Sequence, residues 1–325
     1  MFSRARTAQT SWSKTPARDR KQIILRFHDL LLERHDEGLD LIQADNGKTR
    51  RDAVMEIIDI ANTARYYARS VERRLRPKRR RGAIPMLTHT TEHHHLVTVI
   101  SPWNYPLALA AGDTIPALLA GNAVVQKPDT QTALTALWAL DLLREAGLPE
   151  DVWQLVVGDV DTVGDPLLDN GDYVMFTGST AGGRRIAMRA GQRLVGASLE
   201  LGGKNPMIVL PDADVDRAVA GAVSGCFPSS GQLCVSIERI YLADEIFDLF
   251  VSEFTERTRA LRLGPAYDYS MDVGSLTNSA QLDSVSAHVT DAVGKGATIL
   301  AGGRARPDLG PLFFEPTILT DVTPR

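Results

Sequence analysis

The sequence predicts an α/β protein built on doubly wound parallel sheets, and three observations predict it. From His95 onward, short β-branched runs alternate with helical segments. Strands of four to six residues alternating with helices make βαβ units and hence a parallel sheet, which right-handed crossovers wind on both faces. The 325 residues, 44% of them hydrophobic, suffice for one large or two ordinary domains with a core each.

The elements follow in order. "RDRKQIILRFHDLLLERHD" (18–36) places Ile23, Ile24, Phe27, Leu30 and Leu31 at helical spacing. A second helix runs from about Asp52 to Leu75, with Ile57, Ile60 and Ala64 on one side, and "RPKRRRGAIP" breaks it. "HLVTVIS" (95–101) is a strand, "LALAAGDTIPALLAG" (107–121) a helix, "NAVVQKP" (122–128) a strand. "QTALTALWALDLLREAG" (131–147) is a helix ending at Gly147, followed by the strand "VWQLVVG" (152–158), the short helix "DTVGDPLLDN" and the strand "YVMF" (173–176). The helix "TAGGRRIAMRAG" ends near Gly191. Strands "RLVGASLEL" and "PMIVL", a helix over 214–226, a strand at 237–242 and a helix over 245–262 complete the alternation.

The bulk numbers exclude several classes. A net charge of −4 calls for neither nucleic acid nor a membrane surface. No apolar run approaches the ~20 residues of a membrane span. "MFSRARTAQTSWSK" lacks the apolar core of a signal peptide. The two cysteines, Cys226 and Cys234, cannot make a disulfide framework, so a cytoplasmic setting is expected. "RRLRPKRRRG" holds seven basic residues between Arg73 and Arg81, readable as a solvated face or as a patch for an acidic partner. His93, His94 and His95 are adjacent, and on a strand they point to opposite faces, so they do not converge on one ion.

Five stretches have residue types that carry chemistry. "FTGSTAGG" ends a strand and opens a helix at Gly178 and Ser179, where free N–H groups bind anions; Ser179 or Thr180 can equally cap the helix. Lys127 ends the strand of "GNAVVQKPD", on the edge where open α/β sheets bind ligands; the plain alternative is a solvated lysine. Asn104 in "SPWNYP" is held between prolines, either as a turn residue or as an amide donor to a developing oxyanion. Glu200 in "LELGGKNP" is a general-base candidate or a surface carboxylate. Cys234 in "GQLCVS" is either a small packed thiol, the commonest role of a free cysteine, or a nucleophile in the exposed loop that its Gly-Gln approach suits; Cys226, beside Val223 and Phe227 in a helical segment, suits a packed thiol.

Taken in this order, "PWNYP", "GNAVVQKP", "FTGST", "LELGGKNP" and "GQLC" resemble the aldehyde dehydrogenase superfamily from about Trp12 to Arg325. The resemblance implies a cofactor-binding domain over 1–201, with an oligomerisation hairpin near 82–97, and a catalytic domain over 202–325. It implies Cys234 as the nucleophile, Asn104 with the Cys234 backbone N–H as the oxyanion hole, and Glu200 as the base that activates water. Gly178 and Ser179 would face the cofactor pyrophosphate and Lys127 the adenosine ribose. Trp103 would flank the cofactor channel, and Gly202 would line the nicotinamide end. Relatives that prefer NAD often have Glu three residues after the Lys of "KP". Here Thr130 stands there, which favours NADP over NAD, with Asp129 as the counterweight. The opening "KRRRGAIP" and the stretch from Pro102 to Asp129 are similar to bacterial succinate-semialdehyde dehydrogenases, although Gly112 falls near the place where better-known members have a carboxylate-binding Arg.

The chain also departs from the family. It lacks the additional N-terminal segment and stops after "LFFEPTILTDVTPR", before the "E-x-F-G-P" motif whose Glu and Phe position the nicotinamide. The expectation is a fragment or a truncated product with low turnover, and a homo-oligomer for the full-length family member. A cofactor-free thiol esterase and a basic-patch binding module using Arg73–Arg81 are the rival readings.

Overall fold

In a computed structural model, residues 1–76, 78–79, 88–89 and 95–323 are described. The chain divides into two compact units, Met1–Leu41 with Met55–Leu201, and Ile42–Val54 with Gly202–Arg325.

The first unit begins with α1 (Phe2–Trp12), α2 (Ala17–Glu33), most of α3 (His35–Asn46) and most of α4 (Arg50–Leu75). Along α2, Ile24, Phe27, Leu30 and Leu31 are fully or almost fully buried, as their helical spacing requires. Helix α1 was not expected, because its polar sequence presents only Ala5, Gln9 and Trp12 as buried residues. It is anchored by Trp12, whose indole Nε1 donates to the Leu118 carbonyl at 2.9 Å.

Two short strands, β1 (Lys78–Arg79) and β2 (Thr88–His89), pair antiparallel. The expected hairpin over 82–97 otherwise lies outside the described residues up to His95, as do His93 and His94. The alternation then runs β3 (Leu96–Ile100), α5 (Pro106–Leu119), β4 (Ala123–Lys127), α6 (Ala133–Glu145), β5 (Trp153–Leu155), α7 (Val160–Asn170), β6 (Tyr173–Gly178), α8 (Thr180–Arg193) and β7 (Gly196–Leu201). The strands form one sheet in the order β5-β4-β3-β6-β7, and every pairing is parallel. All five residues of β4 are buried, which is why the strand reads as a run rather than an alternation. The strand order reverses between β3 and β6, where an open α/β sheet leaves a crevice at its C-terminal edge.

The second unit holds β8 (Asn205–Val209), α9 (Val215–Cys226), β9 (Ile237–Leu242), α10 (Phe247–Arg259), α11 (Ser279–Gly294), β10 (Thr298–Ala301) and β11 (Ile318–Thr320). Strands β8 and β9 pair parallel with α9 between them, and β10 and β11 pair antiparallel. Val209, Val219, Ala222, Ile246, Phe250 and Phe254 form its core, with Phe227 stacked on Phe254 at 5.8 Å between ring centroids.

Residues 42–54 group with this unit. The reason is local bonding. The Ser275 N–H donates to the Gly47 carbonyl at 2.9 Å, Gln43 Nε2 donates to the Ala266 carbonyl, and the Ser229 N–H donates to Asp52. No helix among the described residues is long and apolar enough to cross a membrane.

Candidate active site

The C-terminal edge of the five-stranded sheet carries four of the stretches singled out above. Strand β3 ends at Ile100 opposite Lys127 of β4, and the Ser101 N–H donates to the Lys127 carbonyl at 3.1 Å. The chain then enters the Trp103–Asn104–Tyr105 loop, and α5 begins at Pro106. Asn104 is half-buried and its Oδ1 accepts from the Tyr105 N–H at 3.1 Å, which orients the amide within the loop. The N-cap Tyr105 offers α5 no side-chain cap. Glu56, on α4 and completely buried, does this instead: its Oε2 accepts from the Leu107 and Ala108 N–H groups at 2.9 and 3.0 Å. A carboxylate at a helix N-terminus also meets the positive end of the helix dipole.

Beneath the loop lies a buried polar network centred on Gln126. Its Nε2 donates to Ser101 Oγ at 2.9 Å, and its Oε1 accepts from Trp153 Nε1 at 2.9 Å and from Thr114 Oγ1 at 3.3 Å. Lys127 is only 5% exposed and its Nζ donates to the Pro128 carbonyl, so it is not a solvated edge lysine. Asp129 caps the next turn by accepting from the Gln131 N–H at 2.9 Å. Thr130 is exposed, and its Oγ1 donates to the Gly158 carbonyl at 3.1 Å.

Across the strand-order reversal, β6 delivers Gly178 and Ser179. Ser179 is the N-cap of α8, with its Oγ accepting from the Gly182 N–H at 3.1 Å. A Cβ at Gly178 would lie 2.6 Å from the Phe176 ring, and one at Gly183 would lie 2.6 Å from Leu201, so both glycines let backbone and neighbour approach closely. Thr177 Oγ1 is buried at this edge without a hydrogen-bond partner among the described residues. An orphaned hydroxyl beside a helix N-terminus suits a polar, anionic ligand such as a dinucleotide.

Glu200 is paired in register with Thr177 and is exposed. The Asp113 carboxyl of α5 is pushed up to about 6, first by its burial and then by the charge of Glu200. Asp113 was missed by sequence reasoning, though a lone carboxylate in the apolar run "LALAAGDTIPALLAG" was the available signal.

In the second unit, Gly202 is exposed, with open space where a Cβ would be. Cys234 is exposed, and Asn205 Nδ2 donates to the Cys234 carbonyl at 2.6 Å and to the Ser236 carbonyl at 3.0 Å. Asn205 is thus a strut of the thiol loop, another residue not foreseen, although it stands inside "LELGGKNP". Cys226 packs against the second unit's core, and burial pushes its thiol up to about 11. Of the basic run, Arg74 lies over the Tyr66 ring at 5.5 Å.

Comparison with known proteins adds the following. A model described as the aldehyde dehydrogenase family matches residues 1–325. A Mycolicibacterium smegmatis protein provisionally named succinate-semialdehyde dehydrogenase, NADP(+) type, is 50% identical over 99% of this chain. A mitochondrial succinate-semialdehyde dehydrogenase of Arabidopsis thaliana is 37% identical over 97% of the chain. The chain spans 63% of the first relative's length and 60% of the second's. Among solved structures, the succinate-semialdehyde dehydrogenase of Burkholderia pseudomallei superposes with a TM-score of 0.95 at 32% identity, covering 98% of this chain and 67% of that one.

Proposed function

We propose a function from one premise: the chain belongs to the aldehyde dehydrogenase family. The reading is oxidation of an aldehyde to a carboxylic acid with a nicotinamide nucleotide, NADP in preference to NAD, and succinate semialdehyde as the substrate. The observation that carries it is the gathering of Asn104, Lys127, Gly178, Ser179 and Glu200 on the C-terminal edge of one parallel sheet, at its strand-order reversal.

The residues divide the work as follows. The Cys234 thiolate attacks the aldehyde carbon, forming a C–S bond and moving the π electrons onto oxygen. The Asn104 side-chain amide and the Cys234 backbone N–H donate to that oxyanion. When bound, the oxidised nucleotide supplies the acceptor for the hydride that leaves this adduct. Glu200 takes a proton from water, whose oxygen attacks the thioester and releases the acid and the thiolate. Lys127, Gly178, Ser179, Trp103 and Gly202 are the residues that would hold the nucleotide. Thr130 adds no carboxylate that would repel a 2′-phosphate, and the Asp129 carboxylate caps Gln131. Both features support NADP. The names of the relatives support the substrate, and the first also names NADP(+).

The test is reduction of NADP and of NAD, followed by absorbance, with succinate semialdehyde and a panel of other aldehydes. This chain and a full-length relative are assayed side by side. Expected is turnover that is faster with NADP and abolished by Cys234→Ser. Retained dehydrogenase activity in the Ser variant overturns the role of Cys234. A second copy of the chain as partner is part of the same proposal and is checked by the molecular mass in solution.

A further inference from the structure

The thiol loop of the second unit is approached through an unusual piece of backbone. Ser229, Ser230 and Gly231 have φ of 49°, 58° and 74°, three consecutive residues in the left-handed region. Glycine adopts this conformation freely, but two serines do not, so surrounding bonds must hold them there.

Those bonds are present. Asp52 stands at the start of α4, three residues after Thr49, and the two form a reciprocal cap. The Asp52 N–H donates to Thr49 Oγ1 at 3.2 Å, and Thr49 Oγ1 donates to Asp52 Oδ2 at 2.9 Å. The same carboxylate oxygen accepts from the Ser229 N–H at 2.9 Å, and Asp52 is only 7% exposed. Ser230 Oγ lies 3.0 Å from the Gly274 carbonyl, to which it donates. Gln232 closes the turn: its Nε2 donates to the Ser229 carbonyl at 3.1 Å, and its Oε1 accepts from the Thr277 N–H at 3.1 Å. The room for this assembly is tight, because a Cβ on Gly274 would lie 2.2 Å from the Gly47 carbonyl oxygen.

We infer that Asp52 is a positioning residue for Cys234: its buried carboxylate, seated on the Ser229 N–H, holds the left-handed turn that sets the direction of the chain entering the thiol loop. The catalytic meaning of this clamp rests on the proposed role of Cys234, but the clamp itself is a property of the second unit. Asp52 touches neither the thiol nor a reacting atom. It acts through the turn, and its loss removes the bond on the Ser229 N–H that helps to hold this residue at its positive φ. Glycine at position 229 would make the clamp unnecessary, because glycine pays no steric cost for a positive φ.

The experiment reads the thiol directly, without aldehyde or nucleotide, so it stands whether or not the chain proves to be a dehydrogenase. Alkylation of Cys234 and Cys226 by iodoacetamide is followed by peptide mass spectrometry across pH; the plateau rate constant of Cys234 is taken, with the Cys226 rate at pH 8 as the internal reference. Expected for Asp52→Ala is a change of threefold or more in the Cys234 plateau, with the Cys226 rate unaltered. Asp52→Asn, whose amide oxygen can still accept from Ser229, stays within twofold of the parent. Adding Ser229→Gly to Asp52→Ala returns the Cys234 plateau to within twofold, although it cannot repair the cap lost from α4. A parental Cys234 plateau in Asp52→Ala overturns the inference, as does failure of the glycine to restore it, or a parallel change at Cys226. If Asp52→Ala does not fold, Ser230→Ala removes a different strut of the same turn. A smaller shift in the Cys234 plateau then supports the inference, and a parental plateau overturns it.

Discussion

At the C-terminal edge of the five-stranded sheet, Lys127, Gly178 and Glu200 occupy places set by strand register, with a buried core beneath them. Around Cys234 the backbone is set by side-chain struts from Asn205, Gln232 and Asp52, in a loop whose thiol is exposed. The first arrangement is held mainly by packing and by the buried Gln126 network. The second is held by individual hydrogen bonds, worth about 1 kcal/mol net each between neutral groups and about 1.5–3 kcal/mol where the Asp52 carboxylate accepts. Burial over many atoms is hard to disturb locally and costly when disturbed. A strut is cheap to remove in stability, yet its removal redirects a single side chain.

Trp153→Ala is the largest test of that difference. Trp153 is 1% exposed and also donates to Gln126 Oε1. Its truncation is expected to destabilise the first unit by about 4 kcal/mol in urea denaturation. A loss below about 1 kcal/mol would mean that the sheet edge is not held by packing. Next comes Glu56→Ala, which leaves the Leu107 and Ala108 N–H groups of α5 without their buried acceptor. About 2 kcal/mol is expected, with Glu56→Gln recovering part of it because its amide oxygen still accepts. Equal losses for Ala and Gln would show that the acceptor is irrelevant.

These two tests also mark where the sequence was readable. The strands of the sheet were legible because buried parallel strands appear as short apolar runs, and the alternation with helices then dictates the edge on which Lys127, Gly178 and Glu200 must fall. The residues that hold them were not legible. Glu56 reaches α5 from another helix, 51 positions away in sequence, and Asp52 meets Ser229 across 177 positions. Neither contact leaves a periodicity or a local motif. Helix α1 was missed for a related reason: it is fastened by one indole hydrogen bond and a few small buried residues rather than by an apolar stripe. The plain reading of Ser179 as a helix cap is realised in its bond to Gly182, which sits alongside rather than against a role toward an anion.

Within the second unit, the two thiols sharpen the contrast between packing and exposure. Cys226 packs against the core and its thiol is pushed up to about 11, whereas Cys234 is exposed. At pH 8 only about one part in a thousand of Cys226 is thiolate, given that value. Iodoacetamide is therefore expected to modify Cys234 at least roughly tenfold faster than Cys226 in the native protein, and comparably with it once the protein is unfolded in urea. Equal native rates would place Cys226 outside the core and remove the distinction.

A pH dependence is expected in the first unit, and its sign follows from Asp113. The folded carboxyl holds its proton up to about 6, above the usual value of 3.8 that applies when the chain is unfolded. Between those values the native state binds more protons than the unfolded state, so stability falls as pH rises through the window. Above about 6 the whole unfavourable contribution of the ionised, buried group is present. Asp113→Asn removes it, so the variant should melt higher than the parent at pH 7, by up to about 4 °C for a chain of this size, and the two should converge near pH 4. Glu200 contributes the second cause of the shift. Glu200→Gln should therefore move the pH at which the separation between the parent and Asp113→Asn curves levels off from about 6 toward the ordinary carboxylate range. If Glu200→Gln leaves that separation where it was, the two carboxylates do not sense each other, and Asp113 is a buried acid of α5 unconnected with the base candidate. If it moves, the exposed strand end and the half-buried helix face share one electrostatic environment, a coupling that strand register alone would never reveal.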